Sequence, residues 1–467
     1  MLANIKTKSK DVTEKLAEAA DKTIDINEKR ELFRPVAARG AVLYFCIVEM
    51  ANVQWMYNTS LGQFLGLFDY SIDFSEKVQI IKDRVANIVN LLTMRTYRYI
   101  NRGLFERDRN TFKIMMCTRI MIKAKQLALG DVILFLKAGQ LADDRSKLFN
   151  WMQNETWLNL KALSKHKFPS DTQAFFKALP DQIQRNEGAW KKWIIDENEP
   201  ESQPVPDGYE EKLQSDAVLG RFQHMCLVRC LREDRTLIAS EMYIADTLGQ
   251  AYIEPVTDTI AEIWGESLPN RPVLFLLSAG ADPTGMIEEL ARKKKLPPPS
   301  QVSMGEGQEK EAQAKIDAGF ISGNWVILNN CHLALEYMAE LEVILNPKDK
   351  EIHQDFRLFI SAEPSKDFPL GLLQMAVKVT TEPPSGMKAG LSRTFNTMIN
   401  QDFLEKVEPY DKWRSITFTL CFLHSCVQER RKFGALGFSK PYEFNTSDLE
   451  ASLSYCEGHM NRQASFN

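Results

Sequence analysis

Chemistry in this chain of 467 residues would have to come from Ser278 to Gly285, SAGADPTG, and from two further strand ends. The stretch follows an apolar run, Pro272 to Leu277, and leads into a helix-forming segment from Pro283. A strand, a loop of small residues and a helix form the arrangement in which backbone N–H groups cradle phosphate. The phosphate-loop pattern G-x-x-x-x-G-K-[ST] also needs a Lys for the end phosphates and a hydroxyl for Mg²⁺. Set on Ser278, it puts Pro283 on the second Gly, Thr284 on the Lys and Gly285 on the hydroxyl residue, with Gly280 left inside the loop. Pro283 also removes an N–H that phosphate would use. Asp282 reads as a helix N-cap with Pro283 at the first helical position. Its carboxylate then takes the helix end that would attract an anion.

The second strand end is Trp325-Val326-Ile327-Leu328, followed by Asn329-Asn330. Phosphate-loop ATPases place acidic residues there, one holding Mg²⁺ through water and the next positioning the attacking water. The amides supply neither the charge nor a general base, although they can still hydrogen-bond. A third strand, Phe356 to Ile360, ends in Ser361, where such ATPases place a polar sensor. The expectation is a nucleotide-binding scaffold with a degenerate site, and no catalytic residue, cofactor or metal in this segment.

Other patterns carry less chemistry. Gly305-x-Gly307 between a strand and a helix reads as a tight turn. Lys293-Lys294-Lys295 ends a helix, where cations are favoured anyway. Glu429-Arg430-Arg431-Lys432 reads as a helix surface. His224, Cys226 and Cys230, and likewise Cys421, His424 and Cys426, lie in apolar helical segments without the C-x₂-C pairs of a structural zinc site, so they read as core. No Ser/His/Asp or Cys/His arrangement is legible in linear spacing.

The elements around these residues divide by period. Ten positions alternating by three and four, from Leu2 to Phe33, predict one long helix over 1–33 with a coiled-coil seam that includes Val12, Leu16, Ala19 and Ile26. The plain alternative is a surface helix packed on its own domain. Arg34-Pro35-Val36 breaks it. A mostly helical region, 34–196, follows, with Gly40 to Phe68 as two buried helices and with Pro169 and Pro180 as punctuation. The Pro- and acid-rich stretch Glu197 to Gly208 opens a linker and helices over 197–270. From 271 to 390 strands alternate with helices, which means an α/β fold: a parallel sheet with helices on both faces. Residues 391–467 return to helix and read as an incomplete lid. A net charge of −4 gives no argument for nucleic acid, and no apolar run reaches the length of a membrane span. The scattered cysteines are expected to be reduced, buried thiols in an intracellular setting, and the start carries no signal-peptide pattern.

Taken together, these residues resemble a family. RPVAARGAVLYF (Arg34 to Phe45) and MYNTSLGQFLGLF are similar to the segment after the fifth AAA+ module of dynein heavy chains. PVLFLLSAGADPT, VSMGEGQ, NWVILNNCHL, FRLFISAEPS and TEPPSGMKAGL resemble the sixth AAA+ module, and VQERRKFGALGFSKPYEFNTSDLEASL resembles its helical lid. The resemblance covers essentially the whole chain. MYNTSLGQFLGLF and QRNEGAWKKW are similar to axonemal outer-arm chains of the gamma type.

The resemblance implies a minus-end-directed microtubule motor built on a ring of AAA+ modules, working in the cytoskeleton of the cilium or flagellum axoneme. ATP and Mg²⁺ would belong to other modules of the full motor, with the fifth and sixth structural. The helix over 1–33 would be one arm of the coiled-coil buttress that touches the stalk. The implied partners are the remaining AAA+ modules and the stalk, then intermediate chains, light chains and the microtubule through the whole complex, with no nucleic acid and no membrane. The fold implied is an AAA+ P-loop-type parallel sheet with a truncated lid, a fragment of a longer chain. Two other functions stay open on the residues alone: a divergent ATPase that binds nucleotide by other groups, and a free-standing adaptor.

Overall fold

In the computed structural model the chain forms two compact units, Met1–Thr257 and Asp258–Asn467. The division falls inside the 197–270 stretch read as linker and helices. The structure describes residues 2–141, 149–168, 170–203, 205–206, 218–254, 258–278, 281–346, 351–382, 386–430, 442, 444 and 446–464, with the backbone alone over 2–14.

Helices are the only regular elements among the first unit's described residues. Helix α1 (Leu2–Leu32) is followed by α2 (Arg34–Val53), with Phe33 between them. The expected break at Arg34-Pro35-Val36 is therefore a one-residue interruption. Pro35 sits in the first turn of α2, where its missing N–H has no helical partner to lose. Next come α3 (Leu61–Phe74), α4 (Ile81–Asn101), α5 (Glu106–Lys123), α6 (Leu129–Lys137), α7 (Asn154–Lys165), α8 (Ser170–Arg185) and α9 (Glu187–Lys191). The series closes with α10 (Val218–Leu231) and α11 (Thr236–Leu248). Contrary to the expectation that no apolar run reaches the length of a membrane span, helix α2 is long and apolar enough to cross one; it turns Leu43, Cys46, Ile47 and Met50 inward at helical spacing and packs on α4 and α5.

Pro180 does not punctuate the chain as expected; it lies inside α8. A proline inside a helix costs about 3 kcal/mol. Phe176, Leu179 and Ile183 around it are fully buried, and each such side chain contributes about 1.5–3 kcal/mol. Burial wins there. Pro169 lies outside the described residues.

Polar ties fix the helix ends of this unit. Arg84 of α4 donates to the carbonyls of Ser75 and Glu76, each at 2.9 Å, and so caps the carboxyl end of α3. The Tyr97 hydroxyl donates to the Tyr252 carbonyl at 2.7 Å. Arg232 donates to the Glu197 carbonyl at 2.6 Å, and Arg235 pairs with the buried carboxylate of Glu201.

The second unit holds α12 (Ile260–Glu266), β1 (Val273–Leu277), α13 (Thr284–Lys293), β2 (Ser300–Ser303), α14 (Glu309–Ser322), β3 (Val326–Asn329), α15 (Leu335–Ile344), β4 (Leu358–Ala362), α16 (Leu370–Met375) and β5 (Val377–Thr381). The strands pair in the order β2-β3-β4-β1-β5, every pair parallel. Val273, Phe275 and Leu277 join Ile327, Phe359 and Val377 on one face, beneath Ile263 of α12 and Ile287 and Leu290 of α13. The alternate residues Leu274, Leu276, Leu328, Leu358 and Ile360 point to the other face and are equally buried. Both faces are covered, as a parallel sheet requires. Gly323 ends α14 in the left-handed region at φ +78°, where a side chain would be strained.

Helices α17 (Met387–Thr397), α18 (Gln401–Leu404), α19 (Tyr410–Arg430) and α20 (Thr446–Ala464) form the last, helical part. Ile399, Cys421, Leu449 and Leu453 make its small core. The thiols correct one expectation: Cys46, Cys117, Cys226, Cys230, Cys331 and Cys421 are buried, but Cys426 is exposed and Cys456 partly so. Helix α19 has a solvent face as well as a core face, and Cys426 falls on the former.

Candidate functional site

In an open parallel sheet, ligands bind beyond the carboxyl ends of the strands. Here those ends bring Ser278, Asp282, Pro283, Asn329, Asn330 and Ser361 to the same edge of the sheet. Gly280 lies outside the described residues.

After β1 the chain turns at once. The Ser278 N–H donates to the Thr381 carbonyl of β5 at 3.1 Å, and its hydroxyl leans on the same oxygen at 3.4 Å. Ser278 therefore closes on its neighbouring strand. The Ala281 N–H donates to the Ser278 carbonyl at 3.0 Å. The Asp282 carboxylate then accepts the backbone N–H of Thr284 at 2.9 Å. Pro283 is buried with φ −85° and ψ −7°, already helical, and it has no N–H to offer. Thr284 and Gly285 are the first residues of α13; Gly285 is exposed. A carboxylate thus lies against the amino end of α13, where the helix dipole favours negative charge.

The ends of β3 and β4 differ from the expected boundaries. Strand β4 runs on to Ala362, because Ser361 and Ala362 sit in register with Phe275 and Leu276 of β1. Ser361 is therefore a strand residue, 2% exposed, rather than the first loop residue after a strand. Strand β3 likewise includes Asn329, which sits opposite Ser303 of β2. The Ser361 hydroxyl donates to the Asn329 side-chain carbonyl at 3.0 Å and accepts the Asn330 N–H at 3.4 Å. The Asn330 side-chain amide donates to the Ser303 hydroxyl at 3.1 Å. Asn330 itself is left-handed, φ 57° and ψ 38°, a conformation that Asn tolerates better than most residues. Beyond it, Cys331 is buried, and desolvation pushes its thiol well above the usual range. His332 Nδ1 accepts the Glu363 N–H at 3.2 Å.

Sequence reasoning missed two groups. Ser303 is polar and exposed in a short edge strand, and nothing in linear spacing ties it to Asn330. Lys378 of β5 reads as the solvent side of an alternating Val-Lys-Val. It sits opposite Leu274 in the register and is 8% exposed. Burial draws its ammonium down to about 7. The only signal in the sequence is a Lys inside an otherwise apolar strand.

The remaining predicted residues fall on other elements. Of the positions expected on a seam of α1, Leu16 and Ile26 are 65% and 56% exposed and Ala19 is exposed, whereas the Val12 side chain lies outside the described residues. Gly305 and Gly307 form a turn closed by the Gln308 N–H on the Gly305 carbonyl at 3.2 Å. Lys293 pairs with Glu289, and Lys294 lies over the Trp264 ring at 3.5 Å. Arg431 and Lys432 lie outside the described residues. Burial raises the thiols of Cys226 and Cys230, the latter to about 12, and lowers the His224 imidazole. His424 bonds the Phe444 carbonyl at 2.8 Å.

Comparison with known proteins adds to this geometry. Residues 268–380 match the family Dynein heavy chain region D6 P-loop domain, and residues 413–467 match the Dynein heavy chain AAA lid domain. The chain is 42% identical over 98% of its length to the "Dynein gamma chain, flagellar outer arm" of Chlamydomonas reinhardtii. It is 40% identical over 98% of its length to "Dynein axonemal heavy chain 5" of Mus musculus. Identity to the "Dynein-1-beta heavy chain, flagellar inner arm I1 complex" of Chlamydomonas reinhardtii is 34% over 96% of the chain. The chain spans 10% of the length of each of these relatives.

Proposed function

The chain belongs to the dynein heavy chain family, whose D6 P-loop region and AAA lid it carries, and from that premise we propose that it is a structural and force-transmitting part of the motor ring of an axonemal dynein. In this reading the sheet module turns over no nucleotide of its own, and ATP and Mg²⁺ act in other modules of the full motor. Helix α1 is one arm of a coiled-coil buttress, with Val12, Leu16, Ala19 and Ile26 on the seam, and it passes ring movement to the stalk. The direct partners are the other AAA+ modules and the stalk. Intermediate chains, light chains and the microtubule are reached through the whole complex, in the axoneme of a cilium or flagellum. The higher identity to the outer-arm gamma chain, 42% against 34% for the inner-arm chain, supports an outer-arm assignment of the gamma type.

The observation that carries this reading is that Asn329 and Asn330 are both hydrogen-bonded to Ser361 at the strand ends. The residues present do not fit a magnesium nucleotide. Hard Mg²⁺ is held by carboxylates and phosphate oxygens, and the strand end offers amides. The helix end that would take phosphate already has the Asp282 carboxylate on its Thr284 N–H, so an incoming phosphate would meet like charge. Thr284 stands where a Lys would reach the end phosphates.

The test is binding of a fluorescent ATP analogue to the purified chain, with and without Mg²⁺, once circular dichroism confirms folding. No binding at millimolar nucleotide is expected. Mg²⁺-dependent binding in the micromolar range would overturn the reading and reinstate a divergent ATPase.

A further inference from the structure

We propose that the residues standing where a nucleotide and its metal would act form a clasp that holds the carboxyl ends of β2, β3 and β4 in one fixed arrangement without any ligand. The proposal rests on the reading of the site given above. The register carries the argument. The last backbone pair between β3 and β4 is Leu328 with Ile360, so the next residues in step are Asn329 and Ser361. These two are joined through their side chains at 3.0 Å. The hydroxyl–amide bond continues the pairing one residue past the point where the backbone pairing stops. On the other side of β3 the backbone does the same work, with the Met304 N–H donating to the Asn329 carbonyl at 2.7 Å. Asn330 then bonds both ways, its N–H to the Ser361 hydroxyl and its side-chain amide to the Ser303 hydroxyl.

The bonds also fix the backbone at Asn330. Asn enters the left-handed region more readily than other residues with a side chain, and its two hydrogen bonds hold it there. Ser361 provides the hold from inside the sheet, buried and fixed on β4. A sensor hydroxyl in a working site would face a phosphate; this one faces an amide of its own chain. The strand ends are then insensitive to nucleotide, and the module acts as a rigid element. Ser361 is a positioning residue in this device.

The test is amide hydrogen exchange at Asn330 in the whole chain. Ser361→Ala removes the acceptor and should speed exchange there roughly fivefold or more, with distant strands unchanged. Asn329→Asp keeps an acceptor for the Ser361 hydroxyl and should leave exchange slow, whereas Asn329→Leu should accelerate it. If Ser361→Ala fails to fold, the Asn329 pair decides alone. Unchanged exchange in Ser361→Ala, or equal rates in Asn329→Asp and Asn329→Leu, would overturn the clasp, while the nucleotide reading would still be decided by the binding test with the ATP analogue. Slower exchange at Asn330 on adding Mg²⁺ and the ATP analogue would overturn both the clasp's independence of ligand and the reading beneath it.

Discussion

The sheet module and helix α1 carry the same kind of apolar signal and treat it in opposite ways. Phe275, Trp325 and Phe359 are within 2% of full burial, stacked across neighbouring strands. Leu16, Ile24 and Ile26 on α1 are more than half exposed. A strand finds its neighbours inside its own fold, through register, so its apolar residues are covered by the same chain. A helix surface has no such register to cover its apolar residues, and on α1 these side chains stay in solvent. The same residue types are therefore core in one region and surface in the other.

The largest effect expected from this contrast is in the sheet. Phe359→Ala removes a fully buried ring between Trp325 and Phe275 and should cost about 3–5 kcal/mol, read by urea unfolding. A loss under about 1 kcal/mol would mean that the sheet is not the self-sufficient part.

The buried Lys378 sharpens the comparison through pH. Its folded value is about 7, below that of an unfolded lysine, so between the two the unfolded chain binds more protons. Stability should therefore rise with pH from about 7 upward, at up to about 1.4 kcal/mol per unit. Lys378→Met should raise stability at neutral pH and flatten that rise. A natural chain whose stability is already flat from pH 7 to pH 9 would place the ammonium in water.

A smaller effect is expected at the polar cap of the helical unit. Arg84→Ala leaves the Ser75 carbonyl without its guanidinium donor and the Glu76 carbonyl with only the Asn87 amide at 3.4 Å and should cost about 1–2 kcal/mol, seen as a lower melting temperature. No change there would show that water replaces the guanidinium freely. The smallest is on α1. Leu16→Asp should alter the unfolding free energy of this chain by less than about 0.5 kcal/mol, because the side chain is exposed. The same substitution in a complete motor should weaken coupling between ATP turnover and microtubule binding; unchanged coupling would remove the buttress assignment.

Much of the architecture was legible in advance, for stated reasons. Val273–Leu277 is continuous and apolar, the mark of a strand covered on both faces, and it forms over the predicted residues. The alternation of strands and helices after Arg271 is long enough to exclude an antiparallel meander. Boundaries were legible only within a few residues. Ser361 and Asn329 joined their strands because partners in distant sequence, Phe275 and Ser303, came into register with them. Pro180 remained inside its helix because burial of its neighbours outweighed the lost hydrogen bond.

What the sequence determined by itself was the family resemblance, the parallel α/β module and which residues stand at the strand ends. Those are matters of residue identity and short period, which need no partner to be read. Only the tertiary structure decided what those strand-end residues bond to. The bonds among Ser303, Asn329, Asn330 and Ser361, and the burial of Lys378, join or cover groups from strands far apart in the chain. Hydrogen bonds act over about 3 Å, and which groups come that close is settled by strand order and register, which linear spacing does not encode.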